Sequence, residues 1–165
     1  MDFHLDPPTG VGPLRIGMPR REANTALDSL RDPTALSPSD RPGQHIFRPS
    51  GLMISIHCLH DQLQAVELAR PTDPGDRVLF HDVDVFALPA REVVGRLRAH
   101  TTIEADEDDD AAFLAPDLLL SFWRPFEADD DPAEEQGHYF TTVLLARPGY
   151  YDTPAEAEER LSRNS

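Results

Sequence analysis

Lysine is missing from this chain of 165 residues, and all fifteen basic side chains are arginine. With plentiful Ala, Pro and Asp, that bias fits a GC-rich bacterial coding sequence. Cysteine occurs once, as Cys58, which excludes an internal disulfide and suits a reducing compartment. No apolar run approaches the roughly 20 residues that span a bilayer. Residues 1–6 carry neither the basic nor the apolar part of a secretory leader, so the expected location is the cytoplasm. The sequence also lacks a glycine-rich phosphate loop and a Gly-x-Ser-x-Gly elbow, two common signatures of catalysis.

Acids are abundant where bases are scarce. Thirty Asp and Glu give a net charge of −15. Residues 101–137 hold thirteen of the acids and a single base, Arg124. A field of this sign repels nucleic acid and anionic membranes, and attracts a basic protein surface or a cation.

A short pattern is written twice. Met18-Pro19-Arg20-Arg21-Glu22 returns as Leu88-Pro89-Ala90-Arg91-Glu92, and Val66-Glu67-Leu68-Ala69-Arg70-Pro71 as Val143-Leu144-Leu145-Ala146-Arg147-Pro148. Between them, Leu52, Ile54, Ser55 and Ile56 fall opposite Leu118, Leu120, Ser121 and Phe122. The offset is 70 residues at the helix starts, 66 at the first hairpin strand and 77 at the closing strand. The step from 66 to 77 marks an insertion in the loop 125–137. Self-similarity at this period predicts two copies of one supersecondary unit.

The expected fold is therefore one α+β domain with two tandem repeats, about 1–76 and 77–152. Each is a helix followed by an antiparallel β-meander, and a short C-terminal helix lies in 153–165. Pro19 and Pro89 are expected at the first helical position, with helices reaching Leu30 and His100. Residues 11–16 and 78–86 are expected as single extended segments. Strands are expected over 45–48, 52–60, 63–70, 118–124 and 138–147, from the alternation of apolar and polar residues. Asp61-Gln62 is the expected turn of the first hairpin. The start of the chain reads as an approach to the first repeat, and 104–110 as a loop.

Several groupings bear on function. Asp106, Asp108, Asp110 and Asp117 mimic the spacing of a calcium loop, but Ala111 replaces its glycine and Pro116 interrupts it. A solvated charged loop is the expectation. His57-Cys58-x-His60 has ligand-type residues, yet alternation sends His57 to the face opposite Cys58, while His45, His81, His100 and His138 are scattered. No metal, cofactor or catalytic residue is assigned. Trp123 is expected to point outward as a binding anchor. Arg70 and Arg147, at equivalent strand ends, are candidates to clamp an acidic group; the simpler expectation pairs each with a glutamate of its own helix, Glu22 or Glu92. Asp108, Asp109, Asp110, Asp129, Asp130 and Asp131 are the remaining candidate binding residues.

The segment Gly12-Pro13-Leu14-Arg15-Ile16-Gly17-Met18-Pro19-Arg20-Arg21-Glu22 resembles the opening of several small bacterial families. These are uncharacterised actinobacterial proteins, immunity-like proteins, and tandem helix-plus-sheet units of the BamE-like and beta-lactamase-inhibitor-like kinds. The resemblance implies a duplicated α+β framework and a protein-binding role. The functional expectation is a non-enzymatic binding protein, immunity-like, that meets a basic partner through acidic surface. Two alternatives stand beside it. One is a small enzyme or small-molecule binder with its site between the repeats. The other is a structural module with no discrete site.

Overall fold

Mixed helix and sheet, mostly sheet, is what the sequence builds. The computed structural model describes residues 2–30, 43–47, 50–73, 75–106 and 111–147. Asp108, Asp109, Asp110, Arg48, Tyr150, Tyr151 and the expected terminal helix lie outside the described residues. The first half runs β1 (Asp2–Asp6), β2 (Gly10–Val11), β3 (Leu14–Arg15), α1 (Arg20–Ser29), β4 (Gln44–Ile46), β5 (Met53–Leu59) and β6 (Gln62–Ala69). The second runs β7 (Arg77–Phe80), β8 (Val83–Asp84), α2 (Ala90–Leu97), β9 (Glu104–Ala105), β10 (Phe113–Ala115), β11 (Leu120–Trp123), α3 (Glu135–His138) and β12 (Thr142–Ala146).

The strands form two sheets. The larger has seven antiparallel strands in the order β4-β5-β6-β12-β11-β10-β9. The smaller has five, in the order β3-β2-β1-β7-β8. Alternation decides which face of the large sheet is covered. Ile54, Val66, Leu68, Leu120, Phe122, Val143 and Leu145 point one way and are buried. They join Ala23 and Leu27 of α1, Val93, Val94 and Leu97 of α2, and Phe3, Leu5, Val78 and Phe80 of the small sheet in one core. Helices and small sheet thus lie on one face. The other carries Ser55, His57, Glu67, Ser121, Trp123, Thr142 and Leu144.

The helices differ from expectation in one detail. Pro19 and Pro89 sit at the N-cap, with φ/ψ of −59°/145° and −54°/144°. Such extended dihedrals belong to the residue before the helix, so Arg20 and Ala90 are the first helical residues. Glu22 and Glu92 still occupy the first turns. α2 ends at Leu97, three residues short of His100, because the His100 and Thr101 N–H groups both converge on the Leu97 carbonyl and break the helical ladder.

Turn chemistry moved other boundaries. The β5–β6 hairpin turns at His60 and Asp61, both with positive φ (53° and 60°), one residue earlier than expected. The extended segments at 11–16 and 78–86 each fold into a hairpin, with two-residue turns at Gly12-Pro13 and His81-Asp82. Strand 118–124 is shortened, because Pro116–Leu118 form a 3₁₀ turn closed by Leu119 at φ 58°. Strand 138–147 begins only at Thr142, since Glu135–His138 is helical.

The start of the chain is the largest departure. β1 is the middle strand of the small sheet, parallel to β7 (Phe3 opposite Val78) and antiparallel to β2. A forked ion pair reinforces it: Arg77 donates from Nε and Nη2 to the Asp2 carboxylate at 2.9 and 2.6 Å. That hydrogen bonding holds the Asp2 carboxyl below its usual range and outweighs the small effect of burial. Arg77→Gln is expected to raise the pH at which Asp2 titrates, as read by carboxyl NMR. A depressed carboxylate adds stability above its unfolded-state pKa and loses it as pH falls through the folded value, so the variant also flattens stability in acid.

Candidate functional site

The open face of the large sheet is crossed by one continuous row of side chains. Gln44 lies opposite Ser55, Ser55 opposite Glu67, and Glu67 opposite Leu144. Leu144 lies opposite Ser121, Ser121 opposite Leu114, and Leu114 opposite Glu104. On the β4–β6 side the row is polar, and beside it His57 meets Glu67 at 3.1 Å. On the β12–β10 side it carries Leu114 and Leu144, and Trp123 stands one row away.

That second half is concave. A groove of about 610 Å³ is lined by Leu114, Ser121, Trp123 and Leu144, with Glu67 and Asp106 supplying carboxylates. Trp123 keeps 46% of its surface exposed, while its neighbours Phe122 and Arg124 are buried. An antiparallel sheet open to water on one face normally puts polar residues there. Two leucines and a half-exposed tryptophan are the exception on this sheet, and an exposed apolar patch rimmed by charge is the usual form of an interaction site.

Arg124 is the other unexpected feature. Its side chain is 1% exposed, and Arg is almost never buried unless paired. Nε donates to the Ala111 carbonyl at 3.1 Å, and Nη1 to Asp129 Oδ1 at 2.6 Å and to the Gly137 carbonyl at 2.9 Å. The guanidinium also lies 5.9 Å from the Phe113 ring and 5.8 Å from the Phe140 ring. One cation therefore fastens the residue that follows 107–110 to both ends of the loop 125–137.

The candidate acids divide accordingly. The Asp129 side chain is 12% exposed and committed to Arg124, with Arg91 of α2 at 3.9 Å. Burial alone would raise its carboxyl; the Arg124 hydrogen bond, helped by Glu127 and the charge of Arg91, outweighs that and holds it below the usual range. Asp130 is 95% exposed and 3.3 Å from Arg91. Asp131 is exposed and accepts the Ala133 N–H. These contacts seat Asp129 and Asp130 against α2, on the covered side of the sheet, whereas Trp123 is on the open side. Asp129→Asn is expected to reduce the loss of stability on acidification, because a depressed carboxylate stabilises above its unfolded pKa and ceases to do so as pH falls through the folded one. Urea midpoints at neutral and acid pH measure it.

Arg70 does not meet Glu22 or Glu92. Its Nε donates to the Phe86 carbonyl at 3.0 Å, its guanidinium lies 4.3 Å over the Tyr139 ring, and Glu135 is 3.7 Å away. The reason is strand direction. The start of α1 adjoins the beginning of β6, where the Leu63 N–H donates to the Met18 carbonyl. Arg70 leaves the far end of that eight-residue strand, about 26 Å away at 3.3 Å per residue. Glu92 pairs with Arg96 instead, at 2.7 Å. The Arg147 N–H donates to the Gln64 carbonyl at 2.8 Å.

Leu114, Leu144, Glu67 and Asp106 were not singled out in the sequence, although the signal was there. The internal alignment places Leu144 opposite Glu67 and Trp123 opposite His57, so a change from polar to apolar at outward positions was readable. Among the described residues no group of three or more His, Cys, Asp or Glu is arranged to hold a metal ion, and no helix is long and apolar enough to cross a membrane. The chain matches no family model, no curated protein and no solved structure.

Proposed function

We propose that the chain is a duplicated α+β unit whose second copy has turned the open sheet face into a docking groove for a basic segment of a partner protein. Strand register supports the duplication. The offsets of 66 and 77 residues carry the pair Ile54–Leu68 onto Leu120–Leu145, and Ile56–Val66 onto Phe122–Val143. β6 and β12 pair so that Glu67 faces Leu144, its own counterpart, which is where a pseudo-twofold axis would pass. The Arg70 N–H donates to the Thr141 carbonyl, and the Arg147 N–H donates to Gln64, the counterpart of Thr141.

The observation that carries the function is the contrast across that axis. Gln44, His57 and Glu67 on one side are answered by Leu114, Trp123 and Leu144 on the other. The framework repeats and the outward side chains do not, so the difference is not needed to build the unit. A groove with a Trp wall and carboxylates at Glu67 and Asp106 suits an arginine or lysine side chain, which stacks on the indole and pairs with the acids. A second copy of the chain is a poor occupant, since two chains of −15 repel.

The protein binds without catalysis, and its lone cysteine suits work in the cytoplasm. The immunity-like resemblance of residues 12–22 leans the same way. Anisotropy of a labelled arginine-rich amphipathic peptide tests the reading: binding at low salt that weakens at high salt is expected. Absence of binding, or binding indifferent to salt, overturns it.

A further inference from the structure

A second groove, of about 600 Å³, lies on the small sheet. His4, Asp6, Arg15, Phe80, His81 and His100 line it. These residues come from β1, β3, the β7–β8 turn and the segment after α2, so nothing in their sequence spacing announces them. The His81 and His100 rings are stacked, 4.4 Å between centroids and 16° between planes. Phe80 meets both edge-on, at 4.5 and 6.0 Å.

His81 holds this position against its backbone preference. It is the first residue of a two-residue hairpin turn and has φ 54°. The β2–β3 hairpin has Gly12 at the same place in its own two-residue turn, with φ 53°. Glycine is the residue such a turn favours. A side chain kept in a left-handed conformation is a reason to look for a role. Arg15 is fixed at the rim, with Nη1 donating to the Gly12 and Leu14 carbonyls. The ring nitrogens of His4, His81 and His100 make no hydrogen bond to any described residue.

We propose that this groove is an oxyanion site, taking the phosphate or carboxylate group of a small molecule. Arg15 supplies the fixed positive charge, and His4, His81 and His100 supply N–H donors whose tautomer adapts to the ligand. Asp6 is the one carboxylate in the lining and orients a histidine rather than the anion. In a chain this acidic, an anion needs such a local set of donors to stay bound. The site is independent of the sheet-face groove and stands or falls without it.

The test follows the imidazole resonances of the full chain by NMR while sodium phosphate, sodium acetate or sodium chloride is added at matched ionic strength. Saturable shifts of His4, His81 and His100, with His45, His57 and His138 unmoved, are expected in the phosphate or acetate arm. The arm that saturates identifies the source. Equal shifts with chloride, or shifts spread over all histidines, overturn the proposal. His81→Gly is expected to weaken anion binding at least about tenfold while the melting temperature stays level or rises, because glycine relieves the turn. A variant that melts lower and still binds assigns His81 to folding and contradicts the site. Arg15→Gln, outside the turn, is expected to lose binding as well; retained binding in that variant also overturns it.

Discussion

Replacing Arg124 with methionine is expected to lower the unfolding free energy by about 3–5 kcal/mol, the range for breaking a buried pair by removing one partner. Three acceptors lose their donor at once: the Ala111 and Gly137 carbonyls and the Asp129 carboxylate. Asp129 would then sit half-desolvated beside Arg91 alone, whose nearest nitrogen is 3.9 Å away. Methionine fills most of the volume, so the loss reads out polar satisfaction more than a cavity. Urea denaturation measures it. A change under about 1 kcal/mol, the range of an exposed charge pair, would show that the guanidinium is not the fastening of the two acidic loops. Arg124→Lys distinguishes charge from geometry: an ammonium cannot serve three acceptors set at the fork of a guanidinium, so most of the loss is expected to remain.

Trp123→Ala is the opposite case. It is expected to leave stability within about 0.5 kcal/mol, as for a surface residue without a structural partner. It is also expected to weaken capture of a basic peptide by about 2 kcal/mol or more, roughly thirtyfold, the size of an aromatic hot spot. Isothermal titration of the peptide and urea denaturation of the same preparation give the two numbers. A drop in stability with binding unchanged would return Trp123 to the fold. The pairing of the two variants matters, because Arg124 and Trp123 are sequence neighbours on opposite faces of β11. One belongs to the framework and the other to the groove.

Much of the framework could be read from residue order, because it rests on local periodicity. Met53 to Leu59 and Leu120 to Trp123 alternate, and alternation fixes the buried face. The offsets between the two halves reproduce the strand register because pairing partners must keep the same residues inward. What escaped was non-local. Nothing near Asp2–Asp6 signals that it pairs with a strand 75 residues away, since parallel pairing leaves no turn in the sequence. His81 and His100 look scattered until the β7–β8 turn and the end of α2 meet. Arg124 was visible only as the lone base of an acidic stretch. Its burial depends on carbonyls supplied by two separate loops, which no spacing rule encodes. The acids drew attention through number, while the groove residues Leu114 and Leu144 looked like ordinary strand residues.

Trp123 is the only tryptophan of the chain, so its emission reports on the open-face groove and nowhere else. Titration of the native protein with an arginine-rich amphipathic peptide, watched at that fluorescence, tests the docking groove most directly. The account predicts a saturable shift of the emission to shorter wavelength as the indole leaves water, an effect that salt weakens and that a peptide with Glu in place of Arg does not produce. An emission spectrum unmoved by the basic peptide, or moved equally by the acidic one, would contradict it.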